Sequence, residues 1–364
     1  MIISKYPCLV RDEIFQNMEI SELLMLSFVS RNMKRLIKSS QKKRLENIRV
    51  IKYATDGMDN LCAFIPRKPY EDIIMRFEKP DETREPDFQL NVSGKTIDFR
   101  LCTRERNLPE NDFHFYPVAS VHRSDRESTL ESIHKYFLDF FGNSTKYYWK
   151  KEFYKDLQCY VPTRLPNVSL CIGTYLHTPF TNIENLENFF SSSPILQLVQ
   201  LTIFSSKRPF NPESKFYQAE SIKIKYCDNM LPDVLNHFQG KQAFITCNEC
   251  EILDLIMFVK RWKSGEAFRN LEYLKIELPP LDFNLVLVQN IIGVKYIEAK
   301  KQPPKHTLPR VFDWHDLGNT DPITSHSYVV RESDNRVASI LIEERALSFG
   351  AWDKTEEEFL KMVD

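Results

Sequence analysis

Between residues 168 and 299 the chain alternates short β-branched runs with helical patterns, and that alternation limits the folds open to it. Candidate strands are VSLCIGTY (168–175), LVQLTIF (198–204), AESIKIKY (219–226), QAFITC (242–247), LEYLKIEL (271–278) and VKYIEA (294–299). Each is an apolar, β-branched or aromatic run of strand length. NIENLENFFSSS, MLPDVLNHF, CEILDLIMFVKRW and LDFNLVLVQNII fill the gaps with helical spacing. With Thr202, Lys223, Ile245 and Lys275 as midpoints, strand plus helix recurs every 20 to 30 residues or so. That period is the signature of a leucine-rich-repeat-like strand–helix solenoid. Leu271-Glu-Tyr-Leu274-Lys-Ile276 and Leu198-Val-Gln-Leu201-Thr-Ile203 fit its L-x-x-L-x-L core. The asparagine of regular repeats does not recur, so the expected solenoid is degenerate. A doubly wound α/β domain uses the same alternation and is the alternative.

The rest of the chain reads differently, and the whole is expected to be of mixed α+β and α/β class. Residues 1–45 are helical, with Val10, Ile14 and Met18 at four-residue steps and Ser21 as a plausible N-cap. Residues 46–150 change to short strands broken by Gly, Pro, Asn and Asp, a small and mainly antiparallel β region. Ser93-Gly94 suits its hairpin turn, and STLESIHKYFLDFF (128–141) is its closing helix, stopped at Gly142. Residues 151–302 hold the repeat-like body. Residues 303–364 are a tail with two strands, HSYVVRES and RVASILIEE, and an acidic helix in KTEEEFLKMVD.

Composition narrows the class. With 49 basic and 50 acidic residues the net charge is -1, so no global field draws the chain to nucleic acid or an anionic membrane. No apolar run reaches the ~18 residues of a membrane span, and Arg11, Asp12 and Glu13 interrupt any leader-like block. The eight cysteines are widely and irregularly spaced, which suits reduced, mostly buried thiols. A cytoplasmic or nuclear protein is expected.

YPCLVRDEIFQNMEISELLMLSFVSRNMKRLI, residues 6 to 37, carries more apolar residues than short isolated helices can hold in water. Its order resembles an F-box: Pro7 before Leu9-Val10, then Ile14-Phe15, Met18, Glu22-Leu23-Leu24, Leu26-Ser27 and Val29-Ser30-Arg31. Met33 stands where many members carry Trp, and Cys8-Leu9-Val10 replaces the commoner opening. The downstream body, in FFSSSPILQLVQL, KFYQAESIKIKY, HFQGKQAFI and FVKRWKSGEAFRNLEYLKI, resembles the type 2 F-box-associated domain of nematode F-box proteins.

These resemblances imply a substrate-recognition subunit of a cullin–RING (SCF-type) ubiquitin ligase. The F-box would dock on a Skp-type adaptor, and through it on cullin and RING subunits, while the body recruits an unknown protein target. The resemblance implies no enzymatic activity and no cofactor. Pro7, Leu9, Val10, Ile14, Phe15, Met18, Leu23, Leu24 and Leu26 are the expected adaptor-binding residues. Exposed strand side chains such as Lys223, Lys225, Tyr273 and Lys275 are candidates for facing a target.

Other motifs read more plainly as structure. CNEC (Cys247 to Cys250) lacks a second ligand pair for zinc and the surroundings of a thioredoxin-type motif, so both thiols are expected in the core. No histidine pair, nucleophile elbow, P-loop or dinucleotide motif occurs. The run Arg31, Lys34, Arg35, Lys38, Lys42, Lys43, Arg44 reads as the solvated face of a helix. The rival functional class is a scaffold, not a ligase subunit, whose N-terminal segment caps its own core. A thiol-redox or zinc protein centred on Cys247 and Cys250 is the remote one.

Overall fold

The structure, a computed structural model, describes residues 5–363 except 56–60, 67–71, 81–82, 106–112, 143, 154–164, 177–182, 193–195, 204–209, 226–229, 279–284 and 312–317. The chain divides into two compact units, one built on residues up to Lys151 plus the run ending at Ser169, the other from Leu170 onward.

The first unit opens with helices α1 (Cys8–Gln16), α2 (Ile20–Val29), α3 (Arg31–Ser40) and α4 (Lys42–Glu46). Strands β1 (Val50–Thr55), β2 (Leu61–Ile65), β3 (Asp72–Glu78), β4 (Phe88–Val92), β5 (Lys95–Glu105) and β6 (Phe113–Ser120) follow, then α5 (Arg126–Phe141) and β7 (Lys146–Phe153). They form a sheet in the order β7-β1-β2-β3-β6-β5-β4. Its hairpin pairings are antiparallel, while β1/β7 and β3/β6 are parallel. Ser93 and Gly94 both take positive φ, which closes Val92 onto Lys95 in the tight turn expected there. β7 has no counterpart in the sequence reading because Tyr147, Tyr148 and Trp149 are all buried. A strand covered on both faces loses the alternation that would announce it.

One buried polar link fixes α5 on this sheet. The Pro166 carbonyl accepts from His134 Nε2 at 2.7 Å, which leaves Nδ1 free to accept the Tyr53 hydroxyl at 2.8 Å. Around the pair, Tyr53 stacks on Phe137 and Trp149. Burial holds the His134 imidazole below its ordinary pKa, opposed by the bond to Pro166. The unfolded chain therefore binds more protons than the folded one at mildly acidic pH, and stability falls as pH drops below about 6.5. Equilibrium unfolding of the chain between pH 8 and pH 5 is expected to show this loss, and His134→Phe is expected to reduce it; an unchanged slope in that variant counts against the assignment.

The second unit begins with β8 (Val168–Leu176), α6 (Ile183–Ser192), β9 (Leu198–Ile203), β10 (Ser221–Lys225), α7 (Leu231–His237), β11 (Gln242–Thr246), α8 (Ile252–Ser264), β12 (Tyr273–Glu277) and α9 (Leu285–Ile292). It ends with β13 (Lys295–Tyr296), β14 (Lys305–His306), β15 (Ile323–Thr324), β16 (Ser327–Val330), β17 (Arg336–Glu343), β18 (Ala346–Thr355) and α10 (Glu356–Leu360). Strands β8 to β12 run parallel and in register, so that Leu198, Ser221, Gln242 and Tyr273 share one row. Rows such as Ile222, Ala243, Leu274 and Ile224, Ile245, Ile276 are buried throughout.

The solenoid expectation is corrected here. A solenoid keeps offering the same strand edge to the next repeat. In this chain β18 takes that edge in antiparallel register with β12, Tyr273 opposite Gly350, and β17, β16 and β13 continue as an antiparallel series. The connectors also differ in kind. A short 3₁₀ turn, Lys215–Gln218, precedes β10, whereas the 13-residue helix α8 precedes β12. The architecture is a mixed α+β sheet.

β18 was hidden in sequence by Gly350 at its centre. The glycine is there because a Cβ would sit 2.6 Å from the buried His306 ring. The strand-face candidates also change. Tyr273 is buried beside His306, and Lys275 is bound to Asp321 at 2.8 Å. Gln242 is held by Pro309 and Val311, so the chain's own 305–311 segment covers that part of the face. Phe349 of β18 packs edge-on against Phe258 and Trp262. Phe349→Ala is expected to lower stability by about 3–5 kcal/mol in denaturant melts, and a loss below about 1 kcal/mol contradicts a central role for β18.

Candidate functional site

The N-terminal helices owe their boundaries to local chemistry. Pro7 stands at the N-cap of α1, where its missing N–H costs nothing. In α2 the cap is Glu19, two residues before the Ser21 expected from sequence. The Glu19 N–H donates to Glu22 Oε2 at 2.8 Å in a reciprocal capping box. Ser21 lies inside the helix, and its hydroxyl donates to the Phe115 carbonyl at 2.6 Å. Ser30 caps α3, its Oγ accepting the Met33 N–H at 3.1 Å.

These helices then lock to one another. Ser40 donates to Asp12 at 2.5 Å, and Arg44 reaches the Phe15 and Gln16 carbonyls at the end of α1. They also lock to the sheet. α2 lies against β3, β4 and β6. Its Phe28 sits between Phe99 of β5 and Tyr136 of α5, with ring centroids 5.8 and 4.4 Å away. Ser27 shares a 2.8 Å hydrogen bond with Tyr136, whose hydroxyl burial pushes up to about 12, so it stays protonated. On α3, Lys34 and Lys38 both bind Asp139 of α5, and the Lys34 ammonium lies 3.9 Å from the centre of the Tyr136 ring.

The nine expected docking residues therefore divide. Phe15, Leu23 and Leu24 are at most 1% exposed and belong to the chain's own core. Pro7, Leu9 and Val10 are open to solvent, Leu9 at 83% and Val10 at 43%. Ile14, Met18 and Leu26 are half-buried. Sequence reasoning missed the side of α2 on which each apolar residue falls. The available signal was that α2 is apolar all round, the mark of a helix covered from more than one side. Val29, 66% exposed at the end of α2, and Tyr6 extend the solvent-facing apolar set. In the basic stripe, Lys34 and Lys38 are tied to Asp139, while Arg31, Arg35, Lys42 and Lys43 stay exposed.

CNEC has the opposite of activated chemistry. Cys247 is buried after β11, and its thiol donates weakly to the Glu277 carbonyl at 3.7 Å. The Cys250 thiol is pushed up, first by its hydrogen bond with Cys247 and then by burial, whereas a reactive cysteine needs a lowered pKa. Cys250 lies in the loop ahead of α8 and is only partly buried. Among the described residues, no three His, Cys, Asp or Glu side chains gather as a metal site, and no helix is long and apolar enough to cross a membrane.

Comparison with known families places this geometry. The family model of the F-box domain matches residues 7–45, the span of the four packed helices. No curated protein and no solved structure matches the chain.

Burial separates two roles within that domain. Leu24→Ala is expected to cost about 2–5 kcal/mol of stability, whereas Leu9→Asp is expected to stay within about 0.5 kcal/mol of the parent. Parallel denaturant melts check both, and equal losses contradict the division. Removing residues 1–45 uncovers the floor beneath α2, so the shortened chain is expected to aggregate on size-exclusion chromatography.

Proposed function

We propose that this protein is a substrate-recognition subunit of an SCF-type ubiquitin ligase, and that its F-box binds a Skp-type adaptor through the α1 end. The observation that carries this reading is the exposure of Pro7, Leu9 and Val10 in a segment that matches the F-box and whose Phe15, Leu23 and Leu24 are already buried. A monomer gains nothing from an 83% exposed leucine, whereas a partner that covers it gains about 1.5–3 kcal/mol from each such side chain. Ile14, Met18 and Leu26 flank this set and are completed by the partner. Phe15, Leu23 and Leu24 hold the helices in place from beneath.

In this reading the second unit, with its likeness to the type 2 F-box-associated domain, recruits the target protein. The chain supplies no reacting group. It contributes proximity, holding the target near a ubiquitin-conjugating enzyme brought by the cullin and RING subunits. The scaffold reading shares one feature with this one, since α2 does cap the chain's own core. It leaves the exposed α1 end unexplained.

Surface substitution separates the two readings where truncation does not. Leu9→Asp with Val10→Asp is expected to abolish co-purification of a Skp-type adaptor with the full chain while leaving its melting temperature unchanged. Undiminished adaptor capture by a folded double variant would sink the adaptor reading.

A further inference from the structure

Three successive loops of the second unit carry a side-chain amide at the same place. Gln218, Gln239 and Asn270 each stand three residues before the first residue of a strand: Ser221 of β10, Gln242 of β11 and Tyr273 of β12. Those first residues are in register on strands about 4.8 Å apart, so the three loops follow one another in strand order. Two hydrogen bonds confirm that the loops are neighbours, one between backbones and one from the Asn270 side chain. The Gln239 N–H donates to the Tyr217 carbonyl at 2.8 Å, and Asn270 Nδ2 donates to the Gln239 carbonyl at 3.2 Å. Gly240 permits this approach, because a Cβ there would sit 2.1 Å from the Ala219 carbonyl oxygen.

Together with Gln197 these amides line a cavity of about 260 Å³ at the strand starts. Gln197 Oε1 is buried and accepts no hydrogen bond, a costly state for a polar atom. Among the described residues, the Gln218 and Gln239 side chains make no hydrogen bond either. The charged residues that line this cavity, Glu220 and Lys241, pair with each other. Lys241 binds Glu220 at 2.5 Å, and the buried Arg331 binds Asp334 through two bonds of 2.8 and 2.7 Å. What the cleft offers is therefore neutral amide chemistry, donor and acceptor together, with no net charge calling for an ion.

That chemistry complements an extended polypeptide main chain, whose N–H and C=O groups alternate. The roughly 10 Å spanned by three loops equals about three extended residues. Lys241 and Asn270 also line a second cavity, of about 360 Å³, where Trp352 and Leu308 stand among the charged Arg269, Glu272, Arg336 and Asp353. The two cavities thus adjoin, the first lined mainly by amides and the second by charged groups beside Trp352.

We propose that this cleft binds a short extended peptide segment of another protein. Its main chain lies on Gln218, Gln239 and Asn270. This names the target chemistry for the recruitment half of the functional reading and rests on that half alone.

The test is selection of a random peptide library displayed on phage against the full chain. Selected peptides are expected to lose about tenfold or more in affinity for Gln218→Ala with Gln239→Ala, the equivalent of at least one hydrogen bond. N-methylation of alternate main-chain amides in a selected peptide is expected to cost a similar factor. Gln239 is exposed and Gln218 half-buried, and among the described residues neither side chain is hydrogen-bonded, so the melting temperature of the double variant should match the parent. Peptide binding that survives both changes, or a selection that enriches no peptide, overturns the proposal. Adaptor capture is measured on the same variant. Its retention there, and the retention of peptide binding by Leu9→Asp with Val10→Asp, makes failure of the cleft distinguishable from failure of the docking face.

Discussion

The first unit depends on one constraint: α2 is apolar on every side and must be taken out of water from more than one direction. Leu23 and Leu24 are fully buried, Phe28 is held between Phe99 and Tyr136, and Ser21 and Ser27 hydrogen-bond to β6 and α5. None of this is available to an isolated helix of ten residues, which is marginal in water. The F-box helices are therefore part of a folded body, and the sheet beneath them is part of the F-box environment. Lys34 and Lys38 on Asp139 reinforce the contact from α3. Burial raises the Asp139 carboxyl, but the two ammonium groups outweigh it and hold it below the usual range. Being exposed, this link steers geometry more than it adds stability.

Rigidity of this kind bears on the proposed role. A docking face held on a folded unit meets a partner in one geometry, without the ordering cost that loose helices would incur. Here the residues that anchor the F-box (Phe15, Leu23, Leu24) differ from those left open to a partner (Pro7, Leu9, Val10). The two tasks fall on different faces of the same few turns. Substitutions on one face should therefore leave the other's property intact.

The second unit is governed by how its parallel strands end. β18 closes the β12 edge in antiparallel register, and His306, Pro309 and Asp321 cover the row of Gln242, Tyr273 and Lys275. A face that would be open in a solenoid is thus occupied by the chain itself. The strand starts stay accessible, and there the repeated Gln218, Gln239 and Asn270 gather. Their three-residue offset from each strand was legible in the sequence, since GlnAlaGluSer, GlnGlyLysGln and AsnLeuGluTyr occupy equivalent places. Its meaning was not, because only sheet register brings the amides side by side.

Sequence alone determined the element types wherever a local pattern repeats. The strands from β8 to β12, the helices between them, the Ser93-Gly94 turn and the F-box order of residues 7–45 all follow from period, turn chemistry and spacing. These are properties of neighbours along the chain. Tertiary structure decided what depends on distant partners. It placed Leu24 inward and Leu9 outward, and it formed β7 and β18, whose burial on both faces or central glycine removes the local signal. It also turned an apparent solenoid into a mixed sheet whose parallel strands are followed by an antiparallel series. The physical reason is common to all three: a side chain's hydrophobicity is fixed by the residue, but which surface buries it is settled by segments tens to hundreds of positions away.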